Sequence, residues 1–302
     1  MILKKLMIFI ILCLLPLSIS AKEYTIGFAQ DTLKNDWRLA QIEELKDEAK
    51  KHPNLKLIIK SANAKVSKQI RDIEIFIEQE VDFIITSPIE ANITSLALKK
   101  AIDKGIKVIL LSRTVNSDNY TTFISPDNEK IGEEAAKHLV DTLDKKGVIL
   151  ELQGIKTATS TIKRSAGFNK IIKQYPNIKV IRKNANFLRA NAITVMQELY
   201  KKDIKFDAIF SHSDSMLEGV RKVMRKYKKD LTIPMIGIDY IKASQSAILS
   251  GEQSATFVYQ TSAKEGVQAI VDIINNKAVK KNITLDTLKV TKDNVSKIQP
   301  IF

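Results

Sequence analysis

The chain has 302 residues, of which 44% are hydrophobic and 27% are charged. This composition is that of a globular protein long enough for two domains, and it excludes a disordered or fibrous chain. The single cysteine excludes a disulfide scaffold and a cysteine-based zinc site. The three histidines lie far apart without HExxH spacing, so we expect no metal and no cofactor.

Residues 1–21 have the pattern of a secretory signal peptide. Two lysines precede a short apolar run, Leu6–Leu17, and small residues follow it. The run is shorter than the ~20 residues that cross a membrane. Cys13 lies inside the run and does not follow a small residue at its end, which argues against lipid attachment. We predict cleavage after Ser20 or Ala21 and a periplasmic location, because a mature chain without cysteine suits an oxidising compartment.

The formal net charge is +14, a value that nucleic-acid-binding proteins often reach. The lysines are nevertheless spread in pairs beside predicted turns, such as Lys99-Lys100 and Lys145-Lys146, and they form no long basic arm. We therefore interpret the charge as solvated surface and expect no nucleic-acid partner.

Short β-branched runs alternate with amphipathic segments in the first half of the chain. The runs predict buried strands at Tyr24–Ala29, Leu55–Lys60, Asp82–Thr86 and Lys107–Leu111. Apolar residues at helical spacing predict helices at Trp37–Lys51, Ile70–Ile77 and Asn92–Lys104. Strand–helix–strand repetition at this spacing predicts right-handed crossovers and a parallel sheet.

The same alternation begins again after Asn128. Here the sequence predicts strands at Gly147–Gln153, Ile178–Lys183, Phe206–Phe210 and Ile233–Ile238. It predicts helices at Glu129–Leu143, Arg189–Tyr200, Asp214–Lys226 and 241–250. Asp127 and Asn128 are expected to cap the first of these helices and to mark a crossover. No Gly- or Ser-rich linker separates the halves, so we predict two α/β lobes joined by short crossovers.

Polar side chains follow most of the predicted strands, at the edge where open parallel sheets bind their ligands. Two lobes that face each other through these edges would form a cleft. The loops contain hydroxyls, amides and a few charges, with Trp37 and Phe187 nearby; they are Gln30–Thr32, Ser87-Pro88, Ser112-Arg113, 154–164, 211–214, Asp239-Tyr240 and Tyr259-Gln260. This inventory suits a small polar ligand with an apolar face, such as a sugar.

Seven segments in register resemble the periplasmic sugar-binding proteins of the ribose-binding type, which have the type I fold. They are TLKNDWR at 32–38, IITSP at 84–88, LLSRT at 110–114, LELQG with KRSAGF at 150–168, FLRANAITVMQEL at 187–199, IFSHSDSMLEG at 209–219 and IGID at 236–239. The resemblance implies an α/β fold with two Rossmann-like lobes, parallel sheets, hinge crossovers and a ligand cleft between the lobes. The N-terminal lobe would comprise 22–126 plus 260–288, and the C-terminal lobe 127–259 plus 289–302.

The resemblance also implies ligand contacts. Asn35 would bond a ligand hydroxyl, and aromatic rings at Trp37 and Phe187 would stack on the two faces of the sugar. The guanidinium groups of Arg113 and Arg164 would donate forked hydrogen bonds to ligand oxygens. Asp239 would accept from a pair of ligand hydroxyls. Tyr259 lies where ribose binders have a glutamine, with Gln260 beside it. The full predicted site is Asn35, Trp37, Arg38, Ser87, Ser112, Arg113, Arg164, Phe187, Ser213, Asp239 and Tyr259.

Three positions depart from the ribose pattern. Ser112 replaces an aspartate, Ser213 replaces an asparagine, and Arg38 replaces a phenylalanine. The exchange of a carboxylate for a guanidinium makes the cleft more positive and argues against D-ribose. The Trp37-Arg38 pair resembles galactofuranose-type binders. Trp37, Ser112 and Arg164 also resemble positions in receptors for the furanosyl signal autoinducer-2, which report to a sensor kinase.

Several of these residues also have a structural explanation, and the sequence leaves both open. Trp37 opens a predicted helix and is also explained as a core aromatic, whereas Phe187 is also explained as a residue that seals a helix. Arg164 is also explained by pairing with a carboxylate across the lobes. Asp214 begins a helix, where a helix cap is the favoured explanation. His212 is better explained as a structural or rim residue than as a base.

Catalysis is not expected. The segment 211–214 contains the residue types of a catalytic triad, but sequence neighbours at a strand end do not point at each other, and GxSxG, Walker and GxGxxG motifs are absent. A glycosidase needs two placed carboxylates, and Asp31 and Asp239 are candidates only by being acidic. Sugar-responsive repressors share a two-lobed core but carry a helix-turn-helix where this chain has its export signal.

The sequence therefore predicts a monomeric periplasmic solute-binding protein. It would capture a small sugar or sugar-like ligand by hinge closure and deliver it to the membrane permease of an ABC importer. The alternative is a receptor subunit that reports a sugar or an autoinducer-2-like furanosyl signal to a membrane sensor kinase or chemoreceptor. The sequence does not separate these two partners.

Overall fold

The structure is a computed structural model and describes residues 22–302. The predicted signal peptide at 1–21 lies outside the described residues, so its cleavage stays a prediction. Within 22–302, none of the helices combines the length and the apolar composition that a bilayer span requires.

The first lobe is built on a six-stranded parallel sheet with the strand order β2-β1-β3-β4-β5-β11. The strands are β1 Tyr24–Gln30, β2 Leu55–Ser61, β3 Phe83–Thr86, β4 Lys107–Leu111, β5 Thr122–Pro126 and β11 Asn282–Leu285. Four helices cover it: α1 Asp36–Lys50, α2 Val66–Glu78, α3 Ala91–Asp103 and α9 Ala263–Ile274. One apolar cluster joins the sheet to α1 and α9, and a second joins it to α2 and α3, so both faces are covered.

The second lobe repeats this plan with the strand order β7-β6-β8-β9-β10-β12, and its last strand is antiparallel. The strands are β6 Gly147–Gln153, β7 Ile178–Asn184, β8 Ala208–Ser211, β9 Met235–Ile236, β10 Ala255–Phe257 and β12 Lys289–Thr291. The helices are α4 Asn128–Thr142, α5 Thr159–Ile172, α6 Arg189–Lys201, α7 Asp214–Lys226 and α8 Lys242–Ser250, followed by a 3-10 turn at Val295–Lys297. One face packs on α4 and α5, and the other on α6 and α7.

The predicted fold class is confirmed, and most predicted strands and helices agree with the structure within one or two residues. The strand predicted at Ile233–Ile238 is only Met235–Ile236, and the loop predicted at 154–164 already contains the start of α5. The helix cap predicted at Asp214 is wrong. Ser213 caps α7, because its Oγ accepts from the Met216 amide, which frees the Asp214 carboxylate to turn inward.

The strand order reverses between β1 and β3 in the first sheet and between β6 and β8 in the second. These reversals are topological switch points, and they open a crevice beyond the carboxyl ends of the strands. The chain passes between the sheets three times, after β5, after β10 and after β11. The lobe boundaries at 126/127, 259/260 and 288/289 fall on these passages, and we retain them as a proposal.

Helices α4 and α5 approach each other closely because glycines face each other across their contact. A Cβ atom on Gly132 would lie 2.1 Å from the Arg164 carbonyl oxygen, and one on Gly167 would lie 2.0 Å from the Glu129 carbonyl oxygen. These are backbone neighbours that no side-chain rotation can move. The close packing matters for the cleft because Arg164 is carried on α5.

We expect Gly132→Ala to lower the free energy of unfolding by about 1–3 kcal/mol, because the added methyl group forces the two helix backbones apart. Urea denaturation measures this loss. Gly266→Ala in α9 is the matched control, since its Cβ would meet side chains and no backbone atom, the nearest being the flexible end of Leu111 at 3.1 Å. An alanine at 132 that left stability unchanged would contradict the packing argument.

Candidate ligand-binding site between the lobes

A small cavity, with about 40 Å³ of space for the centres of water-sized molecules, lies between the two lobes. Its walls come from the loops that follow β1, β4, β6, β7, β8, β9 and β10 and from the first turns of α1 and α5. The lining residues are Asp31, Thr32, Asn35, Trp37, Arg38, Ser112, Arg113, Ile155, Ser160, Arg164, Asn186, Phe187, Ser213, Asp239 and Tyr259.

Ten of the eleven predicted site residues line this cavity, and the exception is Ser87. Ser87 lies behind the wall, where its Oγ donates to the Leu111 carbonyl oxygen at 2.6 Å and accepts from Arg38 Nη1 at 3.0 Å. Gln260, expected beside the ligand, is exposed. The sequence prediction missed Asp31, Thr32, Ile155, Ser160 and Asn186 as lining residues, although most of them stand in the strand-end loops that it singled out.

Arg38 and Arg113 meet on a single carboxylate. Arg38 Nε lies 3.0 Å from Asp31 Oδ1, and Arg113 Nη1 lies 2.7 Å from Asp31 Oδ2. Arg38 also donates through Nη1 to Gln41 and Ser112. Burial lowers the pKa of Arg38 to about 10, while Asp31 opposes that shift, so the guanidinium keeps its proton at neutral pH. Asp31 therefore fixes two donors, one on α1 and one in the loop after β4.

Arg113 retains donor groups that the protein leaves unused. Within residues 22–302, only Asp31 accepts a side-chain hydrogen bond from it, through Nη1. Its Nε and Nη2 groups have no acceptor in the described chain, and the guanidinium lies 5.3 Å from the centre of the Phe187 ring. Neither group is among the fully enclosed side-chain atoms that lack a partner, so both reach open space beside the cavity wall, where a ligand oxygen can accept from them.

Arg164 is held from the second lobe. Its Nε donates to Asn128 Oδ1 at 2.8 Å, and its Nη1 donates to the His212 carbonyl oxygen at 2.5 Å. The guanidinium also lies 4.5 Å over the Tyr259 ring. Burial lowers the pKa of Arg164 from its usual value. No carboxylate in the described chain lies within ion-pairing distance of this group, in contrast to the pairing considered from the sequence.

Asp239 supplies the acceptor that faces these donors. It is 5% exposed, and no side chain among residues 22–302 donates a hydrogen bond to its carboxylate. Burial raises the pKa of Asp239 well above its usual value and the Asp214 carboxylate adds to this, whereas Arg164 and Arg38 oppose it. The residue has φ = 121°, and Ser112, Asn186 and Phe187 also have positive φ. Such strained backbone is often found at functional sites.

Three aromatic rings form the apolar part of the wall. Trp37 Nε1 donates to the Tyr259 carbonyl oxygen at 2.8 Å, and the two ring centroids lie 5.6 Å apart. Phe187 enters from the second lobe between β7 and α6. Its ring occupies the place of a side chain at Gly154, where a Cβ atom would lie 1.9 Å from Phe187 Cζ. The aromatic faces thus stand among guanidinium groups and two carboxylates, Asp31 and Asp239.

The lobes also touch each other directly at the mouth of the cleft. Asn35, predicted to bond a ligand, caps α1 through Oδ1 and donates through Nδ2 to the Phe187 carbonyl oxygen at 2.6 Å. Asp36 pairs with Arg189 and accepts from Ser215 across the same boundary. The amide of Asn35 is therefore occupied by protein atoms in this arrangement.

A buried acid–histidine pair lies behind the second-lobe wall. Glu151 Oε1 accepts from Ser165 at 2.5 Å and lies 3.2 Å from His212 Nε2, and its other oxygen pairs with Arg182 at 2.8 Å. Burial would raise the pKa of Glu151, but these hydrogen bonds and charges lower it to about 2. His212 is fully buried, which lowers its pKa. It is thus a structural residue whose carbonyl orients Arg164, as the sequence favoured over a base.

A pair of α/β lobes with a polar, aromatic-lined cavity at their facing switch points defines a cleft-type ligand-binding protein. Among residues 22–302, no cluster of three or more His, Cys, Asp or Glu side chains could hold a metal ion. Residues 26–278 match the periplasmic binding protein domain family. The chain belongs to this family.

Individual relatives cover nearly the whole chain. It is 32% identical over 265 residues to the ribose import binding protein RbsB of Bacillus subtilis, which covers 87% of this chain and 86% of that protein. The fructose-binding periplasmic domain of a hybrid two-component system is 30% identical, with a TM-score of 0.85 over 91% of this chain and 93% of that one. A galactofuranose-binding protein is 26% identical, with a TM-score of 0.86 over 91% and 96%.

We expect Gly154→Ala to lower the free energy of unfolding by about 1–3 kcal/mol, because its methyl group overlaps the Phe187 ring. The same substitution in a Phe187→Ala background should cost less, since the ring is absent. Denaturation of the four proteins of this cycle measures the coupling between the two positions. Equal costs in both backgrounds would show that Gly154 does not make room for Phe187.

Proposed function

We propose that this protein is a periplasmic solute-binding protein that captures a monosaccharide between its lobes by hinge closure. The observation that carries the proposal is the set of opposed groups in one cavity: guanidinium donors of Arg113 and Arg164, the Asp239 acceptor, and the aromatic faces of Trp37 and Phe187. Sugars present hydroxyl groups at their edge and C–H groups on their faces, and this cavity offers a partner for each.

A five-membered sugar ring is the ligand class that we favour. The cavity contains Arg38 held by Asp31 at a position where ribose binders have a phenylalanine, and Ser112 where they have an aspartate. The wall is therefore richer in donors than the ribose pattern. Among the relatives, one binds galactofuranose and another fructose. These similarities support a ketose or a furanose over D-ribose.

Delivery to the permease of an ABC importer is the function that we propose for the closed form. The Bacillus subtilis relative is an import binding protein, which supports this partner. A receptor role is the second candidate, because the fructose-binding relative is the periplasmic domain of a two-component system. Permease and ATPase genes beside this gene would favour import, and a histidine-kinase gene would favour sensing. Both roles place the protein in the periplasm as a monomer, without catalytic turnover.

A thermal-shift screen tests the proposal directly. Purified protein is mixed with D-fructose, D-galactose, L-arabinose and D-ribose, and the melting temperature is measured with each. A ligand that binds the folded form stabilises it by mass action and so raises the melting temperature. At a hundredfold excess over Kd, the free energy of unfolding rises by about 3 kcal/mol. We expect a shift with a sugar that populates a furanose. The proposal fails if no sugar of a wider monosaccharide and furanone panel shifts the transition.

We expect Arg113→Ala to weaken binding of the best sugar of that screen by more than about tenfold, because the free Nε and Nη2 donors are lost. Isothermal calorimetry measures the affinity. The variant should fold, since Asp31 keeps its ion pair with Arg38. Arg71→Ala is the control, because Arg71 is 57% exposed on α2 and pairs only with Glu74 and Glu78. Unchanged affinity would remove Arg113 from the site.

The raised pKa of Asp239 makes a prediction about pH. The ionised carboxylate accepts two hydroxyl donors, so binding should weaken as pH falls through the pKa of Asp239 and strengthen as pH rises above it. Asp239→Asn should bind at least about tenfold more weakly and lose this pH dependence. Calorimetry from neutral to mildly acidic pH measures both. Asp293→Asn, an exposed change, is the control. The same pH slope in Asp239→Asn would contradict the assignment.

A further inference from the structure

Asn128 joins the cavity to the hinge, although it does not line the cavity. It is the first residue of α4, immediately after the passage that leaves β5, and it is 4% exposed. Asp127, its neighbour, performs the capping by accepting from the amides of Glu129 and Lys130. The amide side chain of Asn128 is therefore free for other contacts and turns into the protein.

The orientation of this amide is fixed by its partners. Arg164 Nε can only donate, so the atom 2.8 Å from it must be the oxygen of the amide. The Nδ2 group then faces three acceptors at 3.2 Å each, namely Ser125 Oγ, the Pro126 carbonyl oxygen and Tyr259 Oη. Both polar atoms of the Asn128 side chain are therefore engaged by protein groups.

These partners belong to two of the three passages between the lobes. Ser125 and Pro126 end β5 at the first passage, and Tyr259 begins the second passage after β10. The Tyr259 hydroxyl reaches on to the Ser112 carbonyl oxygen at 3.3 Å in the first lobe. One amide thus connects a cavity arginine on α5 to both connecting segments and, through Tyr259, to the opposite lobe.

We propose that Asn128 is a positioning residue that couples occupancy of the Arg164 guanidinium to the angle between the lobes. This inference rests on the proposed function. A ligand oxygen that binds Arg164 holds its Nε on Asn128 Oδ1. The fixed amide then holds the Pro126 carbonyl and Tyr259 in the orientation of the closed cleft. The set joins two of the segments about which the lobes would rotate, so it would resist that rotation and act as a latch on the hinge side.

Asn128→Asp separates the two parts of this role, which are the contact of Oδ1 with Arg164 and the contacts of Nδ2 with the two connecting segments. A carboxylate still accepts from Arg164, and the hydroxyls of Ser125 and Tyr259 can turn to donate to it only by leaving the Pro126 and Ser112 carbonyl oxygens to which they now donate. It has no N–H for the Pro126 carbonyl oxygen, which can only accept. Asn128→Ala loses the Arg164 contact as well. Asn92→Ala is the control, because Asn92 is an exposed asparagine in the first turn of α3.

The readout is the distance between spin labels on the two lobes. Labels are placed on Leu96→Cys in α3 and Leu249→Cys in α8, which are 67% and 54% exposed. The background is Cys13→Ser, because Cys13 is the sole cysteine of the sequence. Double electron–electron resonance gives the distance distribution without sugar and with saturating D-fructose, D-galactose, L-arabinose or D-ribose, and calorimetry gives the affinity.

We expect Asn128→Asp to broaden the distance distribution without sugar and to weaken sugar binding at least about fivefold, the effect of one or more lost hydrogen bonds. Asn128→Ala should do both more strongly, and Asn92→Ala neither. If Asn128 only orients Arg164, Asn128→Asp will match the unsubstituted protein in distance with and without sugar, and the proposal is wrong.

A variant that fails to fold does not end the test. Tyr259→Phe removes the hydroxyl that joins Asn128 to Ser112 and keeps the ring under Arg164, so it should also broaden the distribution. An unchanged distribution in Tyr259→Phe would likewise count against the coupling. If none of the four sugars binds, the distances without sugar still decide the role of Asn128, and the failure then belongs to the proposed function.

Discussion

Three arginines, each 3–4% exposed, lie around one cavity between the lobes. A guanidinium removed from water is costly unless its charge and its N–H groups are compensated, and this requirement organises the rest of the site. Asp31 compensates Arg38 and Arg113 with both of its oxygens, whereas Arg164 relies on the amide oxygen of Asn128 and a backbone carbonyl. The compensation is incomplete, and the remaining donors and the Asp239 carboxylate face the cavity.

This partial compensation relates the scaffold to the proposed function. The groups that fix the arginines come from loops of both lobes, so the site is complete only when the lobes are in register. Hydroxyl groups of a sugar can accept from the arginine N–H groups that have no protein acceptor, and they can donate to Asp239. They would thus form the hydrogen bonds that these groups do not make within the protein. The closed cleft would then bind most tightly those ligands whose hydroxyl groups pair with these donors and with Asp239, and this would make it selective for one ligand class.

Small residues are as important as charged ones in placing the site. Gly132 and Gly167 let α4 and α5 approach within backbone contact, which sets the position of Arg164. Gly154 leaves the space that the Phe187 ring fills. On the hinge side, Tyr259 likewise has two roles, since its side chain lines the cavity and its hydroxyl accepts a hydrogen bond from Asn128. The cavity, the helix packing and the hinge therefore share residues, so a substitution in one of them should also alter the geometry of the others.

Local physical rules in the sequence were sufficient for the fold and for the strand-end loops that line the cavity, because buried strands and amphipathic helices have distinct periods and parallel sheets gather those loops at one edge. The eleven individual site residues came from the resemblance to sugar-binding proteins, and ten of them line the cavity. The short strands β9, β10 and β12 have two or three residues, too few to show a period.

Only the tertiary structure decided the pairings. Asp31 meets Arg113 across 82 positions and Trp37 meets Tyr259 across 222, distances along the chain over which no local pattern carries information. Ser87 lies behind Arg38 and Asp214 turns inward, because long-range neighbours take their hydroxyl and carboxylate groups. The sequence by itself determined the two-lobed fold and most of the loops that reach the cleft. Packing between distant segments decided which of them face the ligand space and which hold the others in place.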